Sequence, residues 1–159
     1  SNVWNKTKGS GITVAVIDTG IDTDHPEFAG RISEYSYNAT EDKIVKDYML
    51  PDGSLDWSLV EDEQGHGTAV AGVIAASMNG NGVVGIAPQV NIIVIKAQCD
   101  ANGTFKRTSD LVFGLYYAIE RDVAVVNIYS LFYCINDTEN AILRLFKGSS
   151  NLAVSSAVY

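Results

Sequence analysis

The sequence has little of several features that define common protein classes. Only two of its 159 residues are cysteines, Cys99 and Cys134, which are too few for a disulfide scaffold and lack the spacing of a metal site. We expect free thiols, with a single bridge between loops as the alternative. The longest apolar run, around residues 90–97, is interrupted by Asn91 and Lys96 and is too short to cross a bilayer. The sequence therefore predicts neither a disulfide-stapled domain nor a membrane partner.

Positive charge is also scarce. Lys and Arg number 11 against 19 Asp and Glu, which gives a net charge of −8. Because phosphate binding relies on clustered Lys and Arg, this balance excludes a nucleic-acid partner. Much of the excess acid lies in residues 41–63, together with Pro51, Gly53 and Ser54. This stretch is either a solvated loop or a rim that attracts cations or basic peptides.

What the sequence does contain is an alternation of apolar runs and helical patterns. Strands are predicted at residues 12–17, 90–97, 123–128 and 152–158, and helices at 66–78, from Thr108 or Ser109 along the stripe Leu111, Val112, Leu115 and Ile119, and from Asp137 or Thr138 to Gly148. Parallel neighbours need crossover connections, so this order predicts an α/β fold with a mostly parallel sheet flanked by helices in three layers. At 47% hydrophobic residues, the chain forms one globular domain or part of one.

Two residues with catalytic chemistry stand where such a fold places function. Asp18 directly follows an apolar strand, and His66 opens a helix. The carboxyl ends of parallel strands are where α/β proteins bind ligands, and a carboxylate there is partly desolvated and needs a partner. The positive end of a helix dipole disfavours the imidazolium, whereas a nearby carboxylate fixes the ring tautomer of a general base. We therefore expect Asp18 and His66 to act together.

The motifs around these residues resemble those of the subtilisin-like serine peptidases. Residues 14–28 contain Asp-Thr-Gly at Asp18, and residues 65–76 begin Gly-His-Gly-Thr at His66, in the family's order of aspartate before histidine. The resemblance covers most of residues 11–128 and implies a subtilisin-like fold, proteolysis of peptide or protein substrates, and catalytic roles for Asp18 and His66. The structural alternatives are a turn aspartate bonded to its own backbone and a capping or packed histidine. His25, inside the first block, is interpreted as structural.

The resemblance also implies a calcium site and a peptide groove. Many members bind calcium in the loop after the histidine helix, and the matching residues here are Glu27, Ser77, Asn79, Asn81 and Val83. Their oxygen-only ligation suits Ca²⁺, and a simple helix-terminating turn is the alternative. One groove wall corresponds to Asn102, Gly103 and Thr104, and Ser130 and Leu131 lie near the opposite wall. Such walls grip substrate backbone as added strands.

Other family features are missing from these residues. No Gly-Thr-Ser-Met-Ala nucleophile motif occurs, and Tyr159 aligns where the family has its oxyanion asparagine. Ser149 and Ser150 follow Gly148 in a helix-ending turn and are not interpreted as nucleophiles. Since Asp18 and His66 alone cannot form an acyl-enzyme, we expect residues 1–159 to be the N-terminal portion of a peptidase domain, with the C-terminal part absent, and to be inactive.

Two further hypotheses remain open. The chain is alternatively a non-catalytic binding module derived from the family, whose exposed apolar surface leads to homo-oligomers or to association with a missing C-terminal half. Apolar-apolar-Asp-Thr-Gly also occurs in dimeric aspartic peptidases, although their folds are almost all β. Residues 1–11 lack the apolar stretch of a signal peptide, so an extracellular or cell-surface location requires that the signal has already been removed.

Overall fold

A central sheet of six strands organises the chain. The computed structural model describes residues 3–98, 106–129 and 153–157. The strands are β1 (Thr13–Asp18), β2 (Tyr37–Asn38), β3 (Lys43–Ile44), β4 (Asn91–Lys96), β5 (Val125–Tyr129) and β6 (Ala153–Ala157). Their order is β3-β2-β4-β1-β5-β6, and every pairing is parallel except that of β2 with β3. The prediction of a mostly parallel sheet is confirmed.

Within the described residues, two α-helices cover opposite faces of this sheet. Helix α1 (His66–Ala75) follows β3, and α2 (Thr108–Glu120) connects β4 to β5. Successive β1 side chains alternate between the faces, as the pleat of a strand requires. Ala15 and Ile17 belong to the buried cluster that contains α2, whereas Val14 and Val16 belong to the cluster that contains α1. The three-layer arrangement is thus built on a strand that is apolar on both faces.

The helices differ in detail from their predicted limits. Helix α1 ends at Ala75 instead of Met78, because the backbone becomes extended at Ala76. Gly85 packs against this turn so closely that an added Cβ would lie 2.5 Å from the nitrogens of both Ala75 and Ala76. The end of α1 thus coincides with a tertiary contact, in which the N–H of Gly85 also donates to the carbonyl of Ala76 at 2.9 Å.

Helix α2 contacts the sheet along part of the predicted stripe, since Leu111 and Leu115 are buried as predicted, and along small residues beside it. Gly114 lies against Ile95, where an added Cβ would approach its Cγ2 to 2.8 Å, and Ala118 is fully buried. Ile119, which the stripe placed in the core, is 39% exposed. The helix starts after Arg107, and neither predicted cap, Thr108 or Ser109, occupies the cap position. Small residues set this contact because they permit the closest approach of helix and sheet.

The acidic stretch is only partly a solvated loop. It contains two short 3₁₀ helices, Val45–Asp47 and Trp57–Val60, whose Val45, Leu59 and Val60 are buried. Its longest exposed run is residues 47–54. Among the described residues, no helix has both the length and the apolar character needed to cross a membrane. The predicted helix at 137–148 and both cysteines lie outside the described residues.

Candidate active site

Strand β1 delivers Asp18 to the carboxyl edge of the sheet, where its side chain is fully buried. Its Oδ1 accepts a hydrogen bond from the backbone N–H of Thr19 at 2.7 Å and lies 2.7 Å from Nδ1 of His66. The two predicted site residues, 48 positions apart in the chain, are therefore in direct contact. An ionised carboxylate only accepts hydrogen bonds, so an ionised Asp18 requires that Nδ1 of His66 carry the proton.

Helix α1 presents His66 as its first residue. The preceding Gly65 has a left-handed backbone with a φ of 83°, a conformation that glycine adopts without steric penalty. The imidazole is 35% exposed, whereas the carboxylate that orients it has no exposed area. One ring nitrogen is thus engaged in the interior while part of the ring faces solvent. This is the arrangement that a histidine general base requires.

The electrostatics of the pair are set by burial. Burial raises the pKa of Asp18, and the hydrogen bonds from His66 and Thr19 only partly oppose this effect. Among the described residues, Oδ2 of Asp18 has no hydrogen-bond partner and is inaccessible to solvent. A desolvated carboxylate with one unsatisfied oxygen depends on the adjacent imidazole for compensation of its charge.

Two glycines allow the strand end and the helix start to meet. A Cβ added to Gly67 would collide with the carbonyl oxygen of Gly20 and lie 3.1 Å from Cβ of Asp18. Gly20 itself has a φ of 125°, and a Cβ there would lie 2.6 Å from the carbonyl oxygen of Val60. The glycines of Asp-Thr-Gly and Gly-His-Gly therefore permit the short distance between the two side chains.

Comparison with known proteins agrees with this geometry. The family model described as the subtilase family, peptidase S8, matches residues 9–131. The chain belongs to the subtilase family. It is 41% identical over 127 residues to the intracellular serine protease of Paenibacillus polymyxa, covering 79% of this chain and 35% of that protein. The major intracellular serine protease of Bacillus subtilis strain 168 is 35% identical over 127 residues, with 79% and 36% of the two chains covered.

A solved structure gives the same result for the fold. Fervidolysin from Fervidobacterium pennivorans, described as a keratinolytic enzyme related to subtilisin, matches with a TM-score of 0.68 and 28% identity, over 96% of this chain and 22% of its own. The chain spans about a third of the length of these two curated relatives. The relatives include both intracellular and extracellular enzymes by name.

The parallel sheet and the family match also exclude the aspartic-peptidase hypothesis. The Asp-Thr-Gly turn of this subtilase ends a parallel strand covered by helices, which is not an almost all-β environment. The apolar-apolar-Asp-Thr-Gly pattern was an insufficient signal because any buried strand that ends in a tight turn produces it.

A cavity of about 260 Å³ lies beside the turn that follows Asp18. It lies at the carboxyl edge of the sheet, and its lining includes Thr19, Glu63, Lys96 and Gln98. A larger cavity of about 530 Å³ is lined by Thr13, at the start of β1, and therefore lies at the opposite edge of the sheet. We assign the smaller cavity to the site because Thr19 follows Asp18 directly.

The predicted groove residues Asn102, Gly103, Thr104, Ser130 and Leu131 lie outside the described residues. Gln98 and Lys106, on either side of the first predicted wall in the sequence, are described. The backbone N–H of Lys106 donates to the carbonyl of Gln98 at 2.8 Å. The N–H of Gln98 donates to Oγ1 of Thr40 at 3.1 Å, and this hydroxyl donates to Oδ2 of the buried Asp110 at 2.8 Å. Gln98 and Lys106 are thus hydrogen-bonded to each other beside the cavity that both of them line.

Four of the five predicted calcium residues are connected by a chain of hydrogen bonds. Glu27 is buried, and its Oε2 accepts from Nδ2 of Asn79 at 3.2 Å. Oγ of Ser77 donates to the carbonyl of Glu27 at 2.8 Å, and Oδ1 of Asn79 accepts from the N–H of Asn81 at 2.9 Å. Val83, the fifth predicted residue, is 65% exposed. These oxygens fit the hard, oxygen-only ligation of Ca²⁺, although among the described residues no three His, Cys, Asp or Glu side chains form a metal-binding group.

His25, within the first motif, has a structural environment. Its Nδ1 accepts from the N–H of Glu27 at 3.3 Å, and its ring lies 5.4 Å from that of Phe28. Sequence reasoning missed a different residue, Asp62, whose carboxylate binds both the β1 turn and the start of α1. Its position four residues before His66 was visible, but its neighbours in an acidic stretch indicated a loop.

Proposed function

We propose that this chain supplies the aspartate and histidine of a serine endopeptidase. The observation that carries the proposal is the 2.7 Å contact between Oδ1 of the buried Asp18 and Nδ1 of His66. In the proposed reaction, a serine hydroxyl attacks a peptide carbonyl while His66 takes its proton. His66 then returns the proton to the leaving amine, and Asp18 keeps the imidazole oriented and stabilises its charged form.

The proposal includes inactivity of the 159 residues by themselves. They contain no Gly-Thr-Ser sequence, and an Asp-His pair without a nucleophile cannot form an acyl-enzyme. Incubation with a fluorophosphonate probe and with a labelled peptide should give neither covalent labelling nor cleavage. Labelling that persists in the wild-type chain but disappears in His66→Ala would show an unrecognised nucleophile and contradict the inactivity.

The proposed peptidase role is tested by sequencing the encoding gene and assaying its full product. An in-frame Gly-Thr-Ser downstream of residue 159 is expected, and the product that contains it should cleave peptides. In that product, His66→Ala should abolish cleavage, whereas His25→Ala should retain it, because His25 only caps a short helix and packs on Phe28. Full cleavage by His66→Ala would overturn the proposal.

The proposed substrate is an extended peptide held as an added strand. Support comes from the hydrogen bond between Gln98 and Lys106, which lie on either side of the predicted wall residues in the sequence, and from the cavity that both line. Calcium binding at Glu27 and the loop that contains Asn79 is part of the proposal. When bound, the ion would fix this loop, and it takes no part in the chemistry at His66.

A non-catalytic, self-associating module is the second candidate function. An exposed apolar patch favours it: Val73, Val83 and Ile86 are 64%, 65% and 72% exposed, and the N–H of Ile86 donates to the carbonyl of Val73. Light scattering at increasing concentration should then show oligomers, and Ile86→Lys should dissociate them. A natural stop codon after residue 159 would support this candidate, whereas a monomer at high concentration would count against it.

We also propose an extracellular or cell-surface location; the names of the relatives include both intracellular and extracellular enzymes. Fractionation of the native host with an antibody to the chain distinguishes the two locations. Recovery from the cytoplasmic fraction alone would contradict the proposal.

A further inference from the structure

The carboxylate of Asp62 is the point at which the two motifs of the site are joined. It accepts five hydrogen bonds. Oδ1 accepts from Oγ1 of Thr19 at 2.8 Å and from the N–H groups of Gln64 and Gly65 at 3.0 and 2.9 Å. Oδ2 accepts from the N–H and the hydroxyl of Thr68 at 2.9 and 2.7 Å. One side chain therefore holds the turn after β1 and the first turn of α1.

The two threonines bound to Asp62 form a reciprocal bridge. Thr19, in the β1 turn, accepts at Oγ1 from the N–H of Gly67 in α1 at 2.9 Å. Thr68, in α1, accepts at Oγ1 from the N–H of Asp22 beyond the β1 turn at 2.9 Å. A hydroxyl has one proton to donate, and both threonines give it to Asp62. The carboxylate thus orients both hydroxyls so that each accepts from the opposite element.

These bonds act on the immediate neighbours of the paired residues. Thr19 follows Asp18, and its N–H donates to Oδ1 of Asp18 at 2.7 Å. Gly67 follows His66, so the bond from Gly67 to Thr19 runs beside the contact between Asp18 and His66. The N–H of Asp62 also donates to the carbonyl of Ile21 at 3.1 Å, which fixes the carboxylate relative to the β1 turn.

Asp62 is held in its ionised, accepting form. Burial alone would raise the pKa of Asp62, but hydrogen bonds from Thr68, Gln64 and Thr19 outweigh it and bring the pKa below its usual value. The start of α1 adds the favourable end of a helix dipole.

We propose that Asp62 is a positioning residue that, through Thr19 and Thr68, sets the spacing of Asp18 and His66 and thereby keeps the proton on Nδ1 of His66. It contacts neither side chain of the pair in the bonds described above and is not assigned a catalytic role. The importance of this positioning for peptide cleavage rests on the proposed function, whereas the positioning itself does not.

The test is carried out on the chain itself by ¹⁵N NMR of its two histidines, His25 and His66. In the wild type, His66 should show the Nδ1–H tautomer with a low-field Nδ1 proton bonded to Asp18. Asp62→Asn keeps the shape but turns one acceptor into a donor that faces donors. We expect the low-field signal to be lost and the tautomers to mix, with His25 unchanged as an internal reference.

Asp56→Asn is the matched control, because Asp56 caps its own turn through Ser58 and makes the same kind of bond without reaching the site. It should leave the His66 spectrum unchanged. A folded Asp62→Asn chain with the wild-type tautomer and low-field proton would overturn the proposal.

A second pair of variants applies if circular dichroism shows that Asp62→Asn does not fold. Thr19→Val removes the bridging hydroxyl from a buried site, and Thr19→Ser retains it. The serine variant should restore the His66 signal that the valine variant loses. Equal, wild-type spectra from both variants would also overturn the proposal. None of these measurements involves peptide cleavage. The positioning role of Asp62 and the proposed peptidase function can therefore be contradicted independently of each other.

Discussion

At the scale of single residues, the buried carboxyl of Asp18 should make the stability of the fold depend on pH. Burial raises the pKa of this carboxyl in the folded chain above its unfolded value. The corresponding stabilisation is fully present below the unfolded pKa and is lost as the pH rises through the folded pKa. Asp18→Asn cannot ionise and therefore does not lose this stabilisation. As the pH rises from 3 to 7, the free energy of unfolding of the variant should increase relative to that of the wild type, by about 1.4 kcal/mol for each unit by which the pKa is raised on folding. Urea unfolding at both pH values measures it.

Asp52→Asn provides a control of opposite sign. Asp52 is exposed, and its pKa is lowered by hydrogen bonds from the side chain and N–H of Ser54. Its contribution is therefore present above the unfolded pKa, and the variant should not gain stability as the pH rises. If Asp18→Asn instead lost stability relative to the wild type from pH 3 to pH 7, the buried carboxylate would be net stabilising, contrary to expectation.

Gly67 is a position at which one added methyl group should change the packing of α1 against β1. Gly67→Ala would place a methyl group against the carbonyl of Gly20 and force α1 away from β1. We expect a loss of about 1–3 kcal/mol in the free energy of unfolding, as for other overpacked sites. Thermal or urea unfolding followed by circular dichroism measures this loss.

Gly72→Ala in the same helix is the matched control. A Cβ at Gly72 has no neighbour within 4 Å, so the substitution should stabilise the helix by about 0.5–1 kcal/mol. Equal effects of the two substitutions would show that helix propensity, and not the contact with Gly20, governs Gly67.

At the scale of elements, the loop after α1 joins the 3₁₀ helix Pro26–Phe28 around one carboxylate. Arg31 donates to Oγ of Ser77 at 2.9 Å and also to the carbonyl of Glu27, so part of this junction is closed by a guanidinium. If Ca²⁺ binds as proposed, it should stabilise the fold by about 2.7 kcal/mol at a hundredfold excess over its Kd. Thermal unfolding with Ca²⁺ and with a chelator measures the difference.

Glu27→Gln should abolish this calcium dependence, since it removes the only carboxylate among the proposed ligands. The control is Glu34→Gln, which changes an exposed glutamate outside the proposed ligand set and should retain the dependence. Identical unfolding of the wild type with Ca²⁺ and with chelator would favour the simple turn, held by Arg31 without a metal.

The elements themselves were largely predictable, and their edges were not. Strand β1 is a continuous apolar run buried on both faces, so its sequence pattern carries its structure directly. Helix α1 ends where Gly85 meets Ala75 and Ala76, a contact between residues ten positions apart that no local pattern contains. The face of α2 was predicted only in part for a related reason. Leu111 and Leu115 are buried as predicted, whereas hydrophobicity marks Ile119 as core and close packing selects Gly114 and Ala118 instead.

At the scale of the whole molecule, the candidate site contains residues that local motifs reveal and residues that only the fold brings together. Asp18 and His66 belong to compact motifs, so they could be predicted to act together before their contact was known. The role of Asp62 depends on bonds to Thr19, 43 positions away, and to Thr68, and its local sequence resembles any acidic loop. A positioning residue has no motif of its own, because its partners are brought to it by the fold.

The overall charge of −8 gives the last prediction, since the acidic stretch reaches the site. Glu41 and Glu63 line the cavity beside Thr19. The attraction they exert is reduced by Lys96 and Lys106, which line the same cavity, and by Lys43, 2.7 Å from Glu41. We expect basic peptides to bind more tightly than acidic ones, with an affinity that falls as salt is added. Glu41→Gln with Glu63→Gln should weaken binding several-fold, at about 0.2–1 kcal/mol for each exposed charge.

The control changes two acids at the opposite edge of the sheet, Glu120→Gln with Asp122→Asn, which line the larger cavity. Both double variants remove the same net charge, so they separate the local field at the site from the field of the whole molecule. Calorimetric titration with a lysine-rich peptide should show weakening by the first pair and little change by the second. Equal weakening would assign the attraction to total charge, and the acidic stretch would then be a solvated face without a part in substrate choice.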